Sequence, residues 1–259
     1  MRARARVVVT VDGSTGRSVV RELRSQAPLS LLPQRGAVAA GSTVATVHMV
    51  GSATAPLGGD DVELEIVVGP GAAAVLPGVA AALALPGPSR SRSSVRIELA
   101  EGARLQYLPE PTVVTRRAAH DGTLEARLAA GARLRCREML VGGRAGEPAG
   151  SYRGHLRICD DEGPLLVQDL DLGDAALHAS PAHLAGHRVL GTEVLVWGTD
   201  PVEAVAGDWW SLVPLARRGA LATAVGSDAV GTRRDLARAV ANHPGWAAGV
   251  TEGLASHAG

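Results

Sequence analysis

Glycine turns recur along this chain at an interval of roughly 30 residues, at Gly71, Gly102, Gly131 and Gly163. The turns share a local phrase: Pro70-Gly71-Ala72, Glu101-Gly102-Ala103-Arg104-Leu105 and Ala130-Gly131-Ala132-Arg133-Leu134. Between them apolar and polar residues alternate, most cleanly from Asp61 to Val67, and again at 94–99, 124–128 and 155–158. Glycine reaches positive φ without steric cost, so each unit reads as strand, turn, strand. Such a unit cannot bury its apolar face alone and must stack on its neighbours. The expected fold is therefore mainly β, built of stacked strand layers (β-helical or sandwich-like) with a few C-terminal helices. It is expected as a single domain over 1–259, with strands mainly in 1–199 and helices mainly in 200–250. A β-sandwich whose hairpins merely look alike fits the same pattern.

Helix signals come late. Asp200-Pro201 places a cap before a proline, predicting a helix into Val202-Glu203-Ala204-Val205. Residues 231–240 predict a second, with Leu236, Ala239 and Val240 on one face and Asn242-His243-Pro244-Gly245 ending it. Ala220 to Val225 reads as one more strand, and Ser89 to Ser94 as a polar loop.

Charge narrows the function classes. The 259 residues carry 26 basic and 26 acidic side chains, and every basic one is Arg. A balanced chain argues against an electrostatic grip on nucleic acid or an anionic membrane. The apolar run Val7-Val8-Val9-Thr10-Val11 stops at Asp12-Gly13, too short for a signal peptide or a membrane helix, so a soluble cytoplasmic protein is expected. Cys136 and Cys159 are too few for a disulfide framework. Phosphate loop, dinucleotide fingerprint, Gly-x-Ser-x-Gly elbow and His-Glu-x-x-His are all missing, and with them any visible catalytic machine.

Alternation sorts side chains into faces. From Ala132 to Leu140, Arg133, Arg135 and Arg137 share one face, and Glu138 shares the other with Leu134, Cys136 and Leu140. A carboxylate on an apolar face needs a proton, a partner or a cation. Asp60 has the inward parity of Val62, Leu64 and Ile66, and Gln168 that of Leu166, Leu170 and Leu172. These three polar groups are candidates for lining an internal cavity. Each also has a plainer reading: ion pair for Glu138, turn carboxylate for Asp60, core amide for Gln168. His183 and His187 stand four apart, a metal-binding spacing on a helix, although Pro181 and Gly186 oppose a helix there.

Taken in order, several segments resemble the UreD (UreH) family of urease accessory proteins. Leu57-Gly58-Gly59-Asp60-Asp61-Val62-Glu63-Leu64 is similar to its "GGD" strand, Gly69-Pro70-Gly71-Ala72 to its "GPGA" turn, and Leu108-Pro109-Glu110-Pro111-Thr112 to its "LPxPT" signature. Leu134 through Arg144 resembles the segment ending in "GR", and 163–166 and 186–192 resemble two later landmarks. The resemblance implies an almost all-β, non-enzymatic scaffold that joins UreF and the GTPase UreG and docks them on apo-urease. It also implies transient Ni²⁺ conducted through an internal passage, with no tightly bound cofactor. Asp60 and Glu138 match acidic positions of the family motifs and become the metal-transit candidates. The chain departs from the family where Gln168 replaces an acid and where Val75-Leu76-Pro77-Gly78-Val79 replaces a polar, basic stretch. Two other readings remain: a β interaction module without metal transport, and a stacked-β carbohydrate enzyme using Asp60 and Glu138 as a carboxylate pair.

Overall fold

The computed structural model describes residues 1–52, 55–178 and 180–250. The chain opens with a hairpin, β1 (Arg2–Val11) and β2 (Ser18–Arg24), then β3 (Leu29–Pro33), a short α1 (Gly36–Gly41) and β4 (Ala45–Gly51). Three coils follow. In the first, β5 (Asp61–Val68) turns at Gly71 into β6 (Ala73–Pro77) and a short β7 (Ala82–Ala84). In the second, β8 (Ser91–Leu99) turns at Gly102 into β9 (Arg104–Leu108) and a short β10 (Thr112–Val114). In the third, β11 (Ala119–Leu128) turns at Gly131 into β12 (Arg133–Gly142). The hairpin β13 (Ser151–Asp160) and β14 (Gly163–Leu172) ends the coils. Beyond it lie α2 (Ala175–His178), β15 (Val189–Val196), β16 (Val205–Ala206), β17 (Trp210–Pro214), β18 (Ala220–Gly226), α3 (Ala229–Ala241) and α4 (Pro244–Val250).

Each coil crosses from one sheet to the other. The first strands of the coils lie parallel in a seven-stranded sheet, ordered β14-β13-β11-β8-β5-β1-β2. The second strands lie parallel in an eleven-stranded sheet, whose main path runs β16-β17-β18-β15-β12-β9-β6-β4-β3. Gly71, Gly102 and Gly131 make the crossings with φ of 66°, 64° and 66°. They stack, with the Gly71 N–H donating to the Glu101 carbonyl (2.9 Å) and the Gly102 N–H to that of Ala130 (3.0 Å). Gly163 is not a fourth member. Its φ is 127°, and it turns β13 back into β14 within the same sheet. Parallel stacking of coils, rather than look-alike hairpins, is what the repeat encodes.

The two faces of the seven-stranded sheet differ completely. Inward, Val7, Ile66, Ile97, Ala126 and Ile158 line up in one row, all essentially buried. They pack against Leu105, Leu134, Leu76 and Cys136 of the opposite sheet in one continuous core. Outward, charge alternates from strand to strand: Arg2, Asp61, Arg92, Asp121, Arg153 and Asp171 stand side by side in register. Arg4 meets Glu63 at 3.0 Å and Arg153 meets Asp171 at 3.6 Å. Opposite charges directly across neighbouring strands favour this register, and a slip of one residue would turn the arginines inward.

Helix α3 forms where expected. Asp228 caps it by accepting from the Gly231 N–H, and Thr232, Leu236, Ala239 and Val240 are its buried face. Two local expectations fail. Residues 202–205 form no helix; Val205 begins β16, pairing with Leu212, so the proline after Asp200 starts a loop toward a sheet edge. Ser91 to Ser94 belongs to β8 rather than to a polar loop. Ser91 is fully buried, its hydroxyl 2.9 Å from His120 Nδ1, because an inward-facing serine with a partner is compatible with a core strand.

Candidate functional site: a polar cavity between the sheets

One inward row of the seven-stranded sheet is made of small residues. Ser93, Gly122 and Gly154 stand in register across β8, β11 and β13, flanked by Val62 on β5 and Leu170 on β14. Small side chains leave space, and a cavity of about 150 Å³ lies there between the sheets. Glu138 and Gln168 both line it, with His120, Tyr152, Tyr107 and Cys136. A larger hollow of about 580 Å³ adjoins it, sharing Pro56, Ala82, Ser93, Val95, Tyr107 and Thr112.

The glycines have a second consequence. A Cβ at Gly122 would lie 2.3 Å from the Tyr152 hydroxyl oxygen, and one at Gly154 would lie 2.9 Å from the ring's Cε1. Only with glycine at both positions does the Tyr152 ring lie across its own sheet. From there its O–H donates to Glu138 Oε1 at 2.5 Å, linking β13 to β12 of the opposite sheet. The His120 ring packs against Tyr152, centroids 5.8 Å apart.

Electrostatics follow from burial. Burial pushes the Glu138 carboxyl above the ordinary glutamate value, and the Tyr152 hydrogen bond opposes that rise only in part. Burial, then the adjacent Glu138, raises the Tyr152 hydroxyl and the Cys136 thiol. Burial lowers His120 to about 4, so its imidazole is neutral at pH 7. A carboxyl with one donor and, among the described residues, no cationic side chain paired with it is poised for a proton or a passing cation. The ion-pair reading of Glu138 fails: Arg135 pairs with Glu193, and Arg137 lies near Glu110.

The other candidates lie elsewhere. Asp60 has the expected inward parity and is buried, but at the rim of β5, outside this cavity. Its Oδ2 accepts from the Leu57 N–H and its Oδ1 from the Met1 nitrogen, both at 2.9 Å. Burial alone would raise this carboxyl, yet those donors hold it below the ordinary aspartate value. Asp60 and Glu138 therefore do not form a carboxylate pair. His183 sits in a turn and His187 just beyond its end, with no helix joining them, so their four-residue spacing does not put them on one face. His183 Nε2 is 3.2 Å from the Asp171 carbonyl oxygen, and His187 packs edge-on against Trp209. Among the described residues no group of three or more His, Cys, Asp or Glu is placed to hold a metal ion. Tyr152 and His120 escaped the sequence reading. The available signal was a pair of glycines inside alternating strands, one of them two residues after a tyrosine.

The family model described as UreD urease accessory protein matches residues 1–252. The chain belongs to the UreD urease accessory protein family. It is 50% identical over 246 residues to urease accessory protein UreD 1 of Saccharopolyspora erythraea, covering 94% of this chain and 96% of that relative. It is 41% identical to urease accessory protein UreD of Parafrankia sp., covering 91% and 86%, and 38% identical to that of Streptomyces coelicolor, covering 93% and 96%. Family membership makes the chain an accessory, non-enzymatic factor in urease maturation. Among the described residues no helix is long and apolar enough to cross a membrane.

Proposed function

We propose that this chain is a scaffold that docks the accessory protein UreF and the GTPase UreG on apo-urease and helps pass Ni²⁺ to the urease active site through the inter-sheet cavity. The supporting observation is Glu138, a half-buried carboxyl on the cavity wall with the Tyr152 hydroxyl as its one hydrogen-bond partner among the described residues. Nickel accepts oxygen ligands, and an isolated carboxylate holds it weakly enough to release it. Gln168 adds a neutral oxygen from the opposite sheet of the same cavity. Asp60 is engaged in its turn and is left out of the route, as are His183 and His187.

The test is Glu138→Gln, co-expressed with urease and the accessory proteins. The amide keeps size and one acceptor but loses the charge. The variant is expected to co-purify with its partners while the urease carries less nickel. Full nickel content with intact assembly would overturn the transit role and leave a docking module without metal transport.

A further inference from the structure

A groove of about 440 Å³ at the loop end of the coils is lined by Arg116, Arg117, Arg144 and Glu147 over Leu85 and Pro86. Arg116 and Arg117 occupy the tip of a turn in which the Ala118 N–H donates to the Thr115 carbonyl at 2.9 Å. Both flanks of the turn are buried, and the Thr115 hydroxyl donates to the Ala84 carbonyl at 2.7 Å. The loop carrying Arg144 is fastened to the same place, since the Gly143 and Gly150 N–H groups both donate to the Val114 carbonyl (2.9 and 3.1 Å). Three guanidiniums are thus held on a rigid base.

Two features single this turn out. Arg117 has φ of 63°, a left-handed conformation that glycine adopts freely and an L side chain adopts at a cost. Arg116 and Arg117 are both exposed, and among the described residues neither forms an ion pair. Glu147, the acid lining the groove, offsets part of this charge: its Oε1 lies 4.0 Å from Arg144 Nε, so one negative charge faces three positive ones. Its Oε1 also accepts from the Arg144 N–H at 2.8 Å, and backbone donors, then the charges of Arg144 and Arg116, hold it below the ordinary glutamate value.

We infer that this basic turn is a docking point for an acidic segment of a protein partner, whose carboxylates pair with Arg116, Arg117 and Arg144. Guanidinium forks match carboxylates in planar, bidentate geometry. A protein segment fits better than nucleic acid, because tight binding there draws on about 6–10 phosphate contacts and this groove offers three cations. The inference is independent of the nickel route, and its test uses neither nickel nor urease.

The probe is a short fluorescein-labelled peptide of alternating Glu and Gly, titrated with the full chain by anisotropy beside its Gln counterpart. The Glu peptide is expected to bind selectively and to weaken severalfold as NaCl rises from about 50 to about 200 mM. Arg117→Gly should weaken it about fivefold, and Arg116→Ala combined with Arg117→Gly about tenfold or more. Arg117→Gly should at the same time raise the melting temperature, because glycine relieves the left-handed strain. Higher stability with unchanged binding would make the turn merely strained and overturn the inference. Equal binding of the Gln peptide, or tighter binding of a single-stranded oligonucleotide of equal charge, would overturn it as well. Should Arg117→Gly fail to fold, Arg116→Ala alone carries the test.

Discussion

At the residue scale, Glu138 couples stability to pH. Its folded pKa lies above its unfolded value, so between the two the folded state binds more protons. Its contribution therefore turns against folding as pH rises through that window, and is absent below it. Glu138→Gln removes this dependence. The stability of the variant relative to the parent should grow as pH rises above the ordinary glutamate value, read by urea denaturation; a flat difference would mean that the carboxyl is not buried in solution. Its neighbours are coupled by shape. Gly122→Ala should cost about 1–3 kcal/mol by driving a methyl group into the Tyr152 hydroxyl. Tyr152→Phe should cost about 1–3 kcal/mol by leaving Glu138 without its donor. The double variant should cost less than the two together, since removing the hydroxyl relieves part of the crowding, and additive costs would contradict this packing.

At the element scale, three stacked turns carry the chain between sheets. Gly102→Ala meets no close atom, the nearest being Gly71 Cα at 3.9 Å, so its cost is that of placing an L residue at φ 64°. That cost is about 1–2 kcal/mol, whereas Gly13→Ala, with neither positive φ nor a neighbour, should be close to neutral. Equal effects by denaturant titration would refute the assignment. Helix α3 shows the opposite kind of dependence, on packing rather than backbone. Leu236 is buried against the sheet, and its Cδ2 sits 3.2 Å from where a Cβ on Gly191 would be. Leu236→Ala should cost about 2–5 kcal/mol.

At the scale of the whole molecule, the formal net charge is zero and the isoelectric point is near 7.1. Paired charges across the outer sheet face set its register but leave no net field to keep molecules apart. Solubility of the isolated chain should therefore pass through a minimum near pH 7 and rise on either side; a maximum there would show that repulsion is not what limits it.

The amino-acid sequence by itself determined the coil and its faces. Alternation assigns parity, and parity placed Glu138, Gln168 and Asp60 on inward faces without knowledge of any neighbour. Glycine repetition marked the crossings at Gly71, Gly102 and Gly131, and it also included Gly163, because a hairpin glycine and a crossing glycine look the same until the strand partner is known. The capped pattern at 200–205 misled for a related reason: local propensity favoured a helix, and pairing of Val205 with Leu212 at the sheet edge outweighed it. Only the tertiary structure decided which inward groups meet. Glu138 and Gln168 come from opposite sheets to one cavity, and Asp60 ends at a rim. That outcome depends on register between distant strands, which sets Ser93, Gly122 and Gly154 in one row, opens the space, and lets Tyr152 reach across it to Glu138.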